Sequence, residues 1–195
     1  MGRSIRYSHP YSRDHTVIFI ETYVSGAFII EPEPVYDERG AFARIFCEQE
    51  FSAFGLQTKF PQWSVSRNAL KNTLRGMHYS VGQHAETKLV RATRGKVYDV
   101  LIDLRKNSPT YCRWFAITLD AHVGQGIYIP VGVAHGFQTL TDDSEVTYHI
   151  HPAFVAEAGR GVRWNDPTFG VIWPDATSRI ISPRDANYPD FQPWQ

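Results

Sequence analysis

The chain has 195 residues, of which 43% are hydrophobic and 14% aromatic, so it can bury a sizeable core and fits one globular domain over residues 1–195. The 20 basic and 20 acidic residues cancel to a formal net charge of zero, which excludes recruitment of nucleic acid or of an anionic membrane by a global field. Any anion site must therefore be built locally.

The cysteines and the apolar segments bear on the compartment. Only Cys47 and Cys112 are available for a disulfide, and the longest apolar stretches, such as residues 27–30, are too short to span a bilayer. Residues 1–15 lack the apolar core of a signal peptide. We therefore expect a cytoplasmic protein that neither enters a membrane nor binds nucleic acid.

Glycines recur between brief apolar runs along the chain, which is typical of an all-β domain. Residues 1–16 are predicted to form an extended N-terminal arm. The predicted strands span residues 17–23, 27–30, 42–46, 62–67, 88–93, 96–104, 112–119, 125–129, 137–140 and 146–150. One short helix is predicted at residues 48–54, and the proline-rich tail after Trp173 predicts little regular structure.

The clearest predicted strand, residues 96–104, has one wholly apolar face. Its other face combines apolar side chains with Asp99 and Asp103. Such a mixed face is more often a solvated sheet surface, but it also suits the inner wall of a barrel that holds a polar ligand. Many short strands must hide their edges in a closed barrel or a jelly roll, and either arrangement offers a cavity.

Two segments carry groups suited to binding or catalysis. In the segment LRGMHY, Arg75 stands three residues before His78, and Lys88 follows ten residues later. Taken alone, these residues favour a solvated turn and a structural histidine. The spacing G-x5-P-x-G-x2-H, which ends at His135, resembles the second sequence motif of cupin jelly rolls.

The first cupin motif, which supplies metal ligands as His-x-His followed by Glu, is broken in this chain. Ser80 stands where the second histidine would be needed, two places after His78. His84 and Glu86 lie nearby, but their loop-like surroundings do not dictate convergence. The sequence therefore predicts no metal site.

Several independent motifs follow one another along the chain. They are LRGMHY at residues 74–79, KLV at 88–90, GKVYDV at 95–100, DLR at 103–105, SPT at 108–110, PVGVAHGF at 130–137 and WNDP at 164–167. Together they resemble the dTDP-4-dehydrorhamnose 3,5-epimerase family, over about residues 37–185. The resemblance implies a cupin-type jelly roll with few short helices. It also implies an isomerase that inverts carbons beside the C4 ketone of a nucleotide-linked 6-deoxyhexose without metal or organic cofactor.

The resemblance implies four catalytic residues. Inversion beside a ketone requires a base, a stabiliser of the enolate oxygen, and an acid on the opposite face. His78 matches the family's base, and Asp185 matches the carboxylate that orients its ring. Lys88 matches the cation near the ketone oxygen, and Tyr148 matches the acid, for which a phenol of ordinary pKa about 10 needs a nearby charge. A surface lysine and an aromatic core residue are the alternatives for these last two.

The resemblance also implies a set of substrate-binding residues. They are Arg75, His135, Arg39, Gln62, Phe42 and Arg184. Arg39 lies in a segment that resembles one reaching the nucleotide of a neighbouring subunit, where a guanidinium can bind pyrophosphate oxygens in pairs; a solvated turn residue is the alternative. We therefore expect a homodimer that exchanges N-terminal strands, with residues 17–30 apolar enough to form such a strand.

Four positions depart from the family pattern. Arg44 stands where Glu is common, Ser64 where Asn is usual, Ser80 where Gln is usual and Phe154 where Tyr is frequent. The expected function is the family's 3,5-epimerisation with dTDP as carrier. A single-site epimerase at C3 or C5 of a dTDP-, CDP- or GDP-linked ketosugar is the close alternative. A non-catalytic sugar-nucleotide-binding cupin and a metal-dependent cupin oxygenase are alternatives of other classes.

Overall fold

The computed structural model describes residues 4–6 and 16–192 of the chain. The strands within these residues are β1 Ser4–Arg6, β2 Val17–Glu21, β3 Phe28–Pro32, β4 Val35–Asp37, β5 Gly40–Phe42, β6 Gln62–Asn68, β7 Thr73–Ser80, β8 Thr87–Arg94, β9 Lys96–Asp103, β10 Trp114–Asp120, β11 Gly126–Ile129, β12 Val133–Thr139, β13 Ser144–His151, β14 Gly159–Gly161 and β15 Ile180–Ile181. The helices are α1 Glu48–Ala53 and α2 Pro183–Ala186, with single 3-10 turns at Gly82–His84 and Ala156–Ala158. The all-β class with few short helices is confirmed.

The strands form two main sheets. A seven-stranded sheet has the order β1-β2-β3-β11-β8-β13-β6, and a six-stranded sheet contains β10-β9-β12-β7-β14 together with β15, which pairs with β7. The pairs along each path are antiparallel, whereas β15 runs parallel to β7. Strands β4 and β5 form a separate hairpin. This arrangement is the double-sheet solution to the problem of exposed strand edges.

The main core lies between the two sheets. Val90 and Val146 from the seven-stranded sheet share one buried cluster with Leu101 and Phe137 from the six-stranded sheet. The mixed face of β9 points into this core, and Asp99 has no exposed area. The interpretation of that face as an inner wall is therefore correct, and the solvated alternative is wrong.

Each sheet is covered on its outside by a non-strand segment. On the six-stranded sheet, Phe169 and Trp173 of the C-terminal segment pack with Val100 and Ile102 of β9. On the seven-stranded sheet, Phe51 of α1 belongs to the outer cluster, and α1 lies within the predicted helix 48–54. These layers bury the outer faces of the central strands, which explains why the apolar pattern of several strands is continuous rather than alternating. The outer face of the edge strand β6 stays exposed.

Two predicted strands need correction, and one strand that carries site residues was missed. The predicted strand at residues 42–46 is wrong beyond Phe42, because Phe46 turns to pack against Phe51 with ring centroids 4.7 Å apart. β12 begins at Val133 rather than at residue 137, so His135 lies on a strand. β7 was not predicted at all, although it carries His78.

A close approach of two glycines explains why the sequence of β7 lacks the apolar–polar alternation of a regular strand. A Cβ atom on Gly76, which has φ +123°, would lie 2.5 Å from the Cα atom of Gly136, and the β7–β12 register shifts at this point. Leu74 and Met77, three positions apart, consequently point into the same outer cluster. The period of two on which strand prediction depends is lost.

The prediction of one domain over residues 1–195 stays a prediction. Most of the predicted N-terminal arm, residues 1–16, lies outside the described residues. Across the part that the structure describes, no helix is long and apolar enough to cross a membrane.

Candidate active site

A cavity of about 340 Å³ opens between the two sheets. Six of the residues predicted for the site line it: Arg75, His78, Lys88, His135, Tyr148 and Arg184. The first two lie on β7 of the six-stranded sheet, whereas Lys88 and Tyr148 lie on β8 and β13 of the seven-stranded sheet. The cavity is therefore walled by cationic and titratable side chains from both sheets.

The ring of His78 is held by Asp185. Nε2 of His78 and Oδ1 of Asp185 are 2.8 Å apart, and Oδ2 of Asp185 accepts the N–H of Gly76 at 3.1 Å. The hydroxyl of Ser182, which caps α2, accepts the N–H of Asp185 at 3.1 Å. The imidazole is 42% exposed, whereas the carboxylate is 7% exposed. This is the arrangement of a base whose tautomer and orientation are fixed by a carboxylate.

Asp185 is ionised in this setting. Burial acts to raise the pKa of Asp185, but the hydrogen bond and the charge of His78, the N–H of Gly76 and the charge of Arg184 outweigh it and leave the pKa below its usual range. A buried negative charge beside Nε2 stabilises the positive charge that the ring acquires when it accepts a proton.

A second histidine–carboxylate pair lies deeper between the sheets. His135 stands opposite His78 in the β12–β7 register, and its Nε2 is 2.8 Å from Oδ2 of Asp99. Burial raises the pKa of Asp99, although the charge and hydrogen bond of His135 oppose the shift. The ring of His135 meets the ring of Tyr148 edge to face, with centroids 5.9 Å apart. His135 thus packs against the predicted acid.

Tyr148 is partly buried, and its phenol is in the neutral form. Burial raises its pKa and the charge of Asp99 raises it further, while the charge of Arg75 opposes the shift. The cation expected beside this phenol is present in Arg75, but desolvation prevails over it. The group therefore keeps its proton and is available as a donor.

Lys88 is largely buried, so it is not a surface lysine. Its Nζ lies 3.1 Å from Oε2 of Glu86, and the two side chains are 13% and 3% exposed. Both line the cavity. A cation fixed by a single carboxylate oxygen keeps further N–H donors for an anionic or carbonyl oxygen.

The predicted binding residues take different positions. Nε of Arg75 donates to Oδ1 of Asn68 at 2.8 Å, so its guanidinium is oriented at the cavity wall. Gln62 does not line the cavity but contacts two residues that do. Its Nε2 donates to Oγ of Ser64 at 3.2 Å, and its Oε1 accepts the N–H of Phe154 at 2.9 Å. Arg184 lies at the wall formed by α2.

Arg39 and Phe42 lie apart from these residues. They belong to the β4–β5 hairpin, where Arg39 is ion-paired with Asp37, and they do not line the cavity of the described chain. Phe42 is 67% exposed. Their predicted role at a neighbouring subunit stays a prediction.

Three of the four departures from the family pattern lie at the cavity. Ser64, Ser80 and Phe154 all line it. Arg44 instead forms an ion pair with Glu50, with Nη1 and Oε1 3.0 Å apart, and the Glu50 side chain is 1% exposed. The charge of Arg44 is therefore used to neutralise a buried carboxylate of α1.

Several lining residues were missed by sequence analysis: Ser66, Tyr79, Glu86 and Arg160. Tyr79 and Arg160 are register partners on β7 and β14, two strands that were not predicted. Glu86 stands two positions before Lys88, the spacing of one strand face, and this signal was available in the sequence. Within residues 4–6 and 16–192, no three His, Cys, Asp or Glu side chains are grouped so as to hold a metal ion.

Comparison with known proteins shows to which family the chain belongs. The sequence profile described as dTDP-4-dehydrorhamnose 3,5-epimerase matches residues 21–193. The chain belongs to this family. A dTDP-4-dehydrorhamnose 3,5-epimerase from Methanothermobacter thermautotrophicus is 40% identical over 172 residues, which cover 87% of this chain and 92% of the relative.

Two solved structures of the epimerase family show the same fold. The crystal structure of dTDP-4-dehydrorhamnose 3,5-epimerase from Elizabethkingia anophelis matches with a TM-score of 0.86 and 33% identity, covering 90% of this chain and 96% of that one. A 3'-monoepimerase from Streptomyces bikiniensis, in complex with dTDP-quinovose, matches with a TM-score of 0.81 and 31% identity, covering 87% of this chain and 85% of that one. The cupin-type jelly roll is thereby confirmed.

Proposed function

We propose that this epimerase family member inverts C3, C5 or both in a nucleotide-diphospho 4-keto-6-deoxyhexose by acid–base chemistry of its own side chains. One observation carries the proposal: His78, held by Asp185 of α2, lines the cavity from one sheet, and neutral Tyr148 lines it from the other. A base and an acid on facing walls suit removal of a proton from one side of a sugar ring and its return on the other.

The proposed reaction has two proton transfers. His78 takes the proton from the carbon beside the ketone, and the electron pair of the broken C–H bond forms the carbon–carbon double bond of an enolate. The negative charge develops on the C4 oxygen, where the ammonium of Lys88 stabilises it more than it stabilises the neutral ketone. Tyr148 then gives its phenolic proton to the opposite face of the same carbon. Exchange with solvent restores the imidazole and the phenol.

The nucleotide end is assigned to cations at the cavity wall. Arg75 and Arg184 carry guanidinium groups that can bind diphosphate oxygens in pairs, whereas His135, which packs against Tyr148, is assigned to the sugar. The names of the relatives favour dTDP as the carrier.

Single-site inversion is the second candidate. Phe154 lines the cavity where the family often has a tyrosine hydroxyl, so one polar contact at the sugar is absent. The similarity to a 3'-monoepimerase also favours this candidate.

We also propose a cytoplasmic homodimer that exchanges N-terminal strands. The exposed β4–β5 hairpin supports it, because Arg39 and Phe42 would then have the neighbouring cavity to contact. β1 is the end strand of the seven-stranded sheet, so its outer edge can pair with a strand of a neighbouring subunit. Light scattering tests the assembly, and a monodisperse monomer would contradict it.

Deuterium uptake tests the activity. The protein is incubated in D2O with dTDP-4-keto-6-deoxyglucose, and the C3 and C5 positions are followed by NMR. Exchange at both centres supports the 3,5-epimerase, and exchange at one supports the single-site enzyme. His78→Ala should abolish exchange, whereas His84→Ala should not, because His84 lies on an exposed 3-10 turn and contacts Gln83. Tight binding without exchange would refute catalysis and favour the non-catalytic cupin.

A further inference from the structure

Glu86 has a buried carboxylate oxygen that lacks a partner. Its Oε2 contacts Nζ of Lys88 at 3.1 Å, but Oε1 is inaccessible to solvent and accepts no hydrogen bond from the described residues. The Glu86 side chain is 3% exposed, and it lines the cavity together with His78 and Tyr148. The proposed chemistry leaves this oxygen unused.

An unpartnered carboxylate oxygen at this depth is costly. Buried polar atoms in native proteins are almost always hydrogen-bonded, and an exception calls for a role. The contact with Lys88 neutralises the charge of Glu86 but satisfies only one of its two oxygens, each of which can accept further bonds. The missing partner must be a donor, and a sugar hydroxyl is a donor that a ligand in this cavity would supply.

The position of Lys88 indicates which hydroxyl is concerned. In the proposed reaction the ammonium of Lys88 meets the oxygen on C4, and Glu86 is the direct partner of that ammonium. Of the two carbons beside C4 in a 4-keto-6-deoxyhexose, C3 carries a hydroxyl, whereas C5 carries the ring oxygen and a methyl group. The hydroxyl nearest to the Lys88–Glu86 pair is therefore the one on C3.

We propose that Oε1 of Glu86 accepts a hydrogen bond from the C3 hydroxyl of the sugar and so determines specificity for 3-hydroxy substrates. This inference rests on the proposed function, from which it takes the position of C4. It adds a residue that determines substrate specificity. A ligand without a hydrogen-bond donor at C3 leaves the carboxylate oxygen buried and unsatisfied, so the site binds that ligand more weakly.

Binding to the wild-type protein tests the proposal without mutation. Calorimetry compares dTDP-glucose with its 3-deoxy, 3-fluoro and 2-deoxy analogues; dTDP-glucose has no ketone and is not turned over. The 3-deoxy and 3-fluoro analogues should both bind about tenfold more weakly, because fluorine cannot donate a hydrogen bond. Equal binding of the 3-deoxy analogue, recovery of affinity by fluorine, or a loss confined to the 2-deoxy analogue would each overturn the proposal.

Glu86→Gln provides the second arm. Its amide oxygen can still accept from Lys88, but an NH₂ donor then replaces the acceptor that faces the C3 hydroxyl. The C3 hydroxyl can accept from that NH₂ group, so the charge-assisted hydrogen bond becomes a neutral one of roughly half the strength. The variant should therefore bind dTDP-glucose more weakly than wild type and should distinguish it from the 3-deoxy analogue by about threefold instead of about tenfold. A purely structural role would weaken both ligands alike and leave their ratio at the wild-type value, which would overturn the proposal.

Glu145→Gln is the matched control. Glu145 also forms an ion pair, with its Oε2 2.8 Å from Nε of Arg67, but it does not line the cavity, so its binding ratios should equal those of wild type. Failure of the proposed function appears separately, as absence of deuterium exchange with a 4-keto substrate. A protein that binds dTDP-glucose with the expected C3 preference but catalyses no exchange would refute the epimerase and support the role of Glu86.

Discussion

Replacing Tyr148 by Phe should separate proton removal from inversion. The ring packs against the core between the sheets, and the substitution removes one oxygen without changing the packed volume, so the free energy of unfolding should change by no more than about 1 kcal/mol. The proton donor of the second step is lost, and general acid catalysis contributes roughly 100- to 10,000-fold. Inversion should slow by that factor, while His78, on the other sheet, still removes the proton.

The assay is NMR of a 4-keto-6-deoxy sugar nucleotide in D2O. In the variant, His78 should return deuterium to the face from which it took the proton, so label enters at a near wild-type initial rate while the configuration is kept. Equal loss of label uptake and inversion would show that Tyr148 acts before the enolate forms. Inversion within about tenfold of wild type would exclude Tyr148 as the acid.

Tyr128→Phe is the control for loss of a buried phenol. The hydroxyl of Tyr128 accepts the N–H of Gln57 at 3.0 Å, and its ring lies in the outer cluster with Phe51. Its loss should cost about 1 kcal/mol of stability and leave inversion unchanged.

Three further substitutions test the site and its support. Asp185→Asn should make the free energy of unfolding depend less on pH under acidic conditions. The lowered pKa of the Asp185 carboxyl contributes stability that is complete above about pH 4 and is lost as the pH falls through that pKa. Equal slopes of the urea-unfolding free energy against pH for variant and wild type, between about pH 5 and about pH 3, would contradict this. Lys88→Met should slow deuterium uptake and inversion equally, by roughly 100-fold, because the enolate precedes both, and a loss of inversion alone would contradict this. Gly161→Ala should lower thermal stability by about 1–3 kcal/mol, because its Cβ would lie 2.2 Å from the ring of Tyr188, and an unchanged melting temperature would contradict this.

Regular strands could be predicted from the sequence, because their side chains alternate between two environments. β9 shows this best, and its buried carboxylate Asp99 proves to be part of the inner wall. Residues 42–46 are a short, mostly apolar run, but the strand ends at Phe42, and Phe46 packs against Phe51 on the outside of a sheet. A short apolar run indicates burial, and it cannot distinguish a strand from a loop that packs its aromatic side chains.

The site was harder to predict than the strands. The partner of His78 is separated from it by 107 positions, so only the family resemblance indicated Asp185. β7 escaped prediction because its contact with β12 requires two glycines face to face. Glu86 was missed although its spacing of two from Lys88 is visible in the sequence, because a carboxylate near a turn is usually solvated and the spacing does not show that its oxygen is buried.

The carboxylate of the His78 pair is supplied by a segment whose strand pairing with the six-stranded sheet is short. β15 pairs with β7 over two residues, Ile180 and Ile181, and α2 follows immediately with Asp185 in its first turn. Ile181 packs in the outer cluster, whereas the main core between the two sheets contains no residue of β15 or α2. Local unfolding of β15 and α2 would leave the two-sheet sandwich folded but would remove the carboxylate that orients the imidazole of His78. On warming, catalytic capacity should thus decline at temperatures where circular dichroism still reports an intact protein.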